Sequence, residues 1–195
     1  MRNRYEIVNG IKPADQGEIK SGKGKGVPNF WLTALKANEV VATLIHKQDE
    51  DVLQYLDDIS WRKIRSSKDD PNCCIELKFC FGANPCFRNS VLTKSYFIDD
   101  DHPFFSSLEY AIGTQIGWYA GKELTGSFFD FFALPGLPDY KDRHLRGEQW
   151  RSLMKPDYNI GLLICYDVIP HAVSLFTGEF QHTLRMMEMT TKAIT

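Results

Sequence analysis

The chain has no apolar run near the ~20 residues that a helix needs to cross a bilayer, and no basic-then-apolar leader opens it. It has few cysteines. Five is an odd number, and they show no paired CxxC knuckles, which argues against a zinc site and suits a reducing compartment. There is no glycine-rich phosphate loop and no internal repeat. Charge of one sign is scarce as well. The net of −2 divides into +3 over residues 1–26, −4 over 27–120 and −1 over 121–195, so the middle is mildly acidic and contains no basic stripe of the kind nucleic-acid binding requires.

What is there reads as one α+β domain of ordinary size. Residues 17–26, "GEIKSGKGKG", are rich in glycine and lysine, and residues 1–26 are expected to form a flexible basic leader. A core is expected over 27–180 and a tail over 181–195. In "VPNFWLTALKANEVVATLI" the residues Phe30, Ala34, Ala37, Val41 and Leu44 repeat at four-three spacing and predict one amphipathic helix, with Pro28 in its first turn. "DEDVLQYLDD" predicts a second, with acids at its positive end. The period then changes to two. Strands are predicted at 59–65, 74–81, 91–98 and 114–119, joined by linkers too short for crossover helices. That makes a four-stranded antiparallel meander with helices on one face.

"SFFDFFALPG" places four phenylalanines in five positions, with Phe128, Phe131 and Phe132 sharing a helical face and Phe129 off it. Residues 134–150, "LPGLPDYKDRHLRGEQW", read as a proline-broken loop. "DYNIGLLICYDVIPHAVSLFTGE" returns to helix, with Asp157 as the expected N-cap, Gly178 as the expected C-terminal glycine, and Pro170 as a kink or division.

The search for chemistry finds little. Cys74 and Cys80 share a strand face with Glu76 and Lys78, while Cys73 points the other way. Cys165 and His171 are six residues apart, about 600° around a helix, which separates a would-be nucleophile from its base. Asp99, Asp100 and Asp101 lack the spaced ligands and central glycine of a calcium loop. They read as a solvated acidic turn or as a contact for a basic partner.

Six blocks in order carry a resemblance: "VPNFWLTALKANEVV", "DEDVLQYLDDI", "LKFCFGANPCFRNSVLTKSY", "IGTQIGWYAGKELT", "SFFDFFALPGLP" and "IGLLICYDVIPHAVSLFTGE". The chain resembles the nucleosome assembly protein family of histone chaperones, over roughly residues 4–180, with "RYEIVNG" similar to the plant branch. The resemblance implies an α+β chaperone core that binds core histones through acidic surface and assists nucleosome assembly and disassembly. It implies no catalysis, no cofactor or metal, no sequence-specific nucleic-acid binding and no membrane contact, and a place in nucleus and cytoplasm. The histone-binding residues expected are Asp99, Asp100 and Asp101, then Asp69 and Asp70 in the neighbouring turn.

Several features set the chain apart from that pattern. The family's long dimerising helix has no counterpart ahead of "RYEIVNG", so a monomer or weak dimer is expected. The ending "TLRMMEMTTKAIT" is not acidic, and 139–156 carry more basic than acidic residues. Only Gly126 separates "KELT" from "SFFDFF", where the family places a basic hairpin. A shortened member acting as an interaction regulator without full chaperone activity is the alternative. An enzyme or small-molecule binder using the aromatic-lined space is a third.

Overall fold

The structure, a computed structural model, describes residues 2–11, 26–65, 72–99, 107–133 and 148–179. Helix α1 (Arg2–Val8) lies inside the stretch expected to be a flexible leader. Tertiary contacts order it. Val8 is buried, and the Arg4 guanidinium donates to the Ile169 carbonyl at 2.7 Å and lies 4.6 Å from the Trp31 ring centroid.

The expected single helix after Pro28 is two: α2 (Phe30–Ala37) and α3 (Glu39–Ala42). Asn38 divides them, because its side-chain oxygen accepts the Val41 N–H at 3.1 Å and caps α3. Pro28 falls outside the helix. Asn29 precedes Phe30 in the left-handed region at φ 56°, a conformation that asparagine tolerates. In α4 (Lys47–Leu53) the buried Asp49 carboxylate accepts the His46 N–H at 2.7 Å and the Phe128 N–H at 3.2 Å, joining this helix to a distant turn.

The sheet is antiparallel in the order β1 (Leu56–Arg65), β2 (Asn72–Phe81), β3 (Val91–Asp99), β4 (Ser107–Gly113). Three strands fall where period two predicts them. The fourth does not. Residues 114–119 are irregular apart from an isolated bridge of Trp118 to Phe87, and β4 occupies 107–113 instead. A register shift at Phe97/Ile98 explains the miss: Leu108 and Ala111 both face the core although three residues apart, so alternation is broken in the very segment that pairs.

Ile75, Leu77, Phe79 and Phe81 of β2 and Leu92, Tyr96 and Ile98 of β3 line the buried face. Against it sits a 3-10 turn (Phe128–Phe132) opened by Ser127, whose hydroxyl accepts the Phe129 N–H at 3.0 Å. All four phenylalanines are buried. Phe128, Phe131 and Phe132 gather around Phe79, while Phe129 packs against Phe87, Phe81 and Trp118, the separate element its off-stripe position calls for. Gly113 admits this turn, since a Cβ there would lie 1.9 Å from the Phe132 carbonyl oxygen.

Helix α5 (Glu148–Leu163) starts inside the expected loop and contains Pro156. It continues into a π-helical turn (Ile164–Val168), where the Ile169 N–H reaches the Ile164 carbonyl at 3.0 Å. Pro170, which has no N–H, ends this element and separates it from α6 (Ala172–Thr177), and Gly178 terminates α6 at φ 78°.

Candidate functional site

Antiparallel register decides which turns meet. Asn72 pairs with Asp99 and Asp99 with Ser107, so the β1–β2 and β3–β4 connections leave the sheet from the same end. Adjacent strands lie about 4.8 Å apart, so the start of β2 and the end of β3 lie side by side there. Asp69, Asp70, Asp100 and Asp101 belong to these connections and lie outside the described residues. Asp99 closes β3, and only its backbone is described. On the sheet face opposite the core, the row Ile64, Cys74, Phe97 and Tyr110 runs near this end, with the Phe97 and Tyr110 rings stacked at 4.2 Å.

Among the described residues, Glu39, Asp51, Glu109, Glu123, Asp130 and Glu179 are exposed carboxylates. Asp57 and Asp58 are half-buried at the β1 bulge, and burial raises both carboxyls above the usual range, with Arg4 opposing the rise at Asp58 from 3.9 Å. Their neighbours hold the strand edge: the Asn9 amide and the Trp31 indole both donate to the Asp57 carbonyl at 3.2 Å.

One polar cluster was hidden from helix and capping arguments. Asp157, the expected N-cap, lies within α5 instead, and its carboxylate faces the sheet. Lys94, fully buried, donates to Asp157 Oδ1 at 3.0 Å and to the Phe131 carbonyl at 2.7 Å. The Tyr96 hydroxyl lies 3.0 Å from both Asp157 Oδ2 and the Asp157 carbonyl. Burial lowers the Lys94 ammonium and raises the Asp157 carboxyl and Tyr96 hydroxyl, while the Lys94–Asp157 attraction works against the first two shifts. Each polar side chain of the cluster finds a partner within the fold, so the cluster fastens α5 and the 3-10 turn to β3. A signal for it existed: Lys94 falls on the inward parity set by Leu92, Tyr96 and Ile98.

The cysteines behave as sheet and core side chains. Cys73 is buried, and Cys74 and Cys80 lie half-buried on the opposite face. Burial pushes the Cys165 thiol up to about 12, far from a nucleophile's range. His171 is exposed and within 2.9 Å of the Asp167 carbonyl. Among the described residues no three His, Cys, Asp or Glu side chains group as metal ligands.

A cavity of about 390 Å³ lies between the exit of β4 and the 3-10 turn. Ile116, Trp118 and Leu124 form one wall, Phe129 and Phe132 the other, and Asp130 stands at the rim. A second cavity of about 370 Å³ shares Leu124 and is lined by Asp51, Glu123 and Lys122 among others.

Comparison with known proteins places this geometry. The sequence profile described as nucleosome assembly protein (NAP) matches residues 1–126 and 125–179. The chain is 43% identical over 214 aligned residues to nucleosome assembly protein 1;1 of Arabidopsis thaliana, covering 90% of this chain and 55% of that protein. It is 44% identical to nucleosome assembly protein 1;4 of Nicotiana tabacum, with 90% and 58% covered. The chain therefore spans little more than half the length of the curated relatives it matches. Among solved structures, nucleosome assembly protein 1 of Plasmodium knowlesi superposes with a TM-score of 0.66 at 32% identity, over 91% of this chain and 77% of that one. An alignment of 214 residues exceeds 90% of a 195-residue chain, so the relative carries residues absent here, and the two profile matches meet at 125–126.

Proposed function

Because the chain belongs to the nucleosome assembly protein family, we propose that it is a histone chaperone. It binds core histones through acidic surface and assists their deposition and removal, without catalysis and in nucleus and cytoplasm. Family membership over nine-tenths of the chain carries this reading. The sheet register supports its location, since both acidic connections start from one end of the sheet. The contact residues proposed are Asp99, Asp100 and Asp101, with Asp69 and Asp70 alongside.

The physics is competition with DNA. Exposed carboxylates steer a basic partner and occupy lysines and arginines that would otherwise hold phosphates non-specifically. Such pairs are screened within about 8–10 Å at physiological salt, so affinity falls as salt rises. A pull-down of purified core histones across a salt series tests this. Binding at low salt that weakens steeply with added salt is expected, and no binding at low salt refutes the function. Salt-insensitive binding refutes the electrostatic mechanism. A second reading is an interaction regulator that holds histones without assembling nucleosomes. Histone binding without assembly activity on plasmid DNA would select it.

A further inference from the structure

We infer that the cavity between β4 and the 3-10 turn is an anchor pocket for a lysine side chain of the basic partner, an inference that rests on the histone-chaperone reading. The cavity, about 390 Å³, is roomy for one long side chain, and its partly exposed wall is apolar: Ile116, Trp118 and Leu124. A lysine has this mixed character, with an aliphatic stem that packs on apolar surface and a charged tip that stays wet. The indole face of Trp118 also attracts a cation.

The rim supplies the opposite charge. Asp130 is exposed, and its Oδ2 accepts the Ser127 N–H at 3.0 Å, which holds the carboxylate on the turn. Among the described residues no hydrogen bond occupies Oδ1. Among the described residues no cation lines this cavity, and the neighbouring one adds Asp51 and Glu123 against Lys122. An anionic peptide is repelled by Asp130, and a neutral ligand gains at most a hydrogen bond, whereas an ammonium gains the charge of the carboxylate and the indole.

Leu124 and Ser127 flank the point where the two family matches meet, at 125–126, and the longer relatives carry additional residues in their alignment. The direct Thr125–Gly126 join therefore sits between the two walls of the cavity.

The test is a titration of the full chain with a short glycine-lysine peptide, followed by two-dimensional amide and indole NMR at low salt, beside its lysine-acetylated twin. The Trp118 indole N–H and the Asp130 amide should shift with the lysine peptide and stay still with the acetylated one. Asp130→Asn should weaken binding about fivefold, the worth of one exposed charge pair, while the asparagine oxygen still accepts the Ser127 N–H. Unchanged affinity in Asp130→Asn, equal shifts with the acetylated peptide, or shifts confined to other residues would overturn the pocket. Core-histone binding measured in parallel separates the failures: histones bound with Trp118 silent refute the pocket alone, and no histone binding refutes the function beneath it.

Discussion

Lys94→Met removes the ammonium that ties β3 to α5 and to the 3-10 turn. The methionine fills a similar volume, so the loss is electrostatic: a 3.0 Å bond to Asp157 and a 2.7 Å bond to the Phe131 carbonyl. Breaking a buried ion pair costs roughly 3–5 kcal/mol, because the remaining charge is left without its partner. Asp157 keeps 20% side-chain exposure and the Tyr96 hydroxyl, which moves the expected cost to the lower end, about 3 kcal/mol. For a domain of this size that lowers Tm by roughly 6–12 °C. Urea unfolding measures it, with the m-value unchanged if only the native state is affected. The double variant Lys94→Met/Asp157→Leu should recover most of the loss, since replacing both charges by apolar groups removes the uncompensated one. The Tyr96 hydroxyl still has the Asp157 carbonyl within 3.0 Å. A single variant within about 1 kcal/mol of the parent, or a double variant no more stable than the single, would refute the assignment of this cluster as a fastening.

Two further outcomes follow from packing and burial. Gly161→Ala sets a Cβ 2.4 Å from the Tyr96 ring, which is buried and bonded to Asp157 and cannot retreat, so a loss of about 1–3 kcal/mol is expected in thermal unfolding, and a neutral result would show that α5 has room to shift. Burial holds the Cys165 thiol protonated to about 12, whereas the unfolded chain releases that proton near 9.0. Between those values the unfolded state binds fewer protons, so stability falls as pH rises, by about 1.4 kcal/mol per pH unit for this one group. Tyr96, raised above 10.0, acts in the same direction from higher pH. Cys165→Ala should therefore flatten the stability–pH curve above pH 9, and an unchanged slope in urea titrations from pH 9 to 11 refutes the account.

Local pattern determined much of this protein. Period two in "CIELKFCF" and "VLTKSYFI" names the strands and their buried faces, because alternation is a property of the single strand and survives without knowledge of its neighbours. The same holds for the off-stripe position of Phe129, the break at Pro170 and the left-handed Gly178. The six ordered blocks were enough to indicate the family. What failed locally failed for a tertiary reason. β4 was displaced because a bulge against β3 sets its parity, and the 26-residue leader hid a helix because its order comes from Trp31, Asp58 and Ile169. Asp157 has the side chain of a cap, and only the arrival of Lys94 and Tyr96 from 61 or more residues away makes it the centre of a buried cluster. The candidate sites divide the same way. Charge in the acidic turns is written in the chain, but their shared end of the sheet is a consequence of strand pairing. The Asp130 pocket belongs wholly to the tertiary structure, since its two walls meet only when the 3-10 turn packs over Gly113.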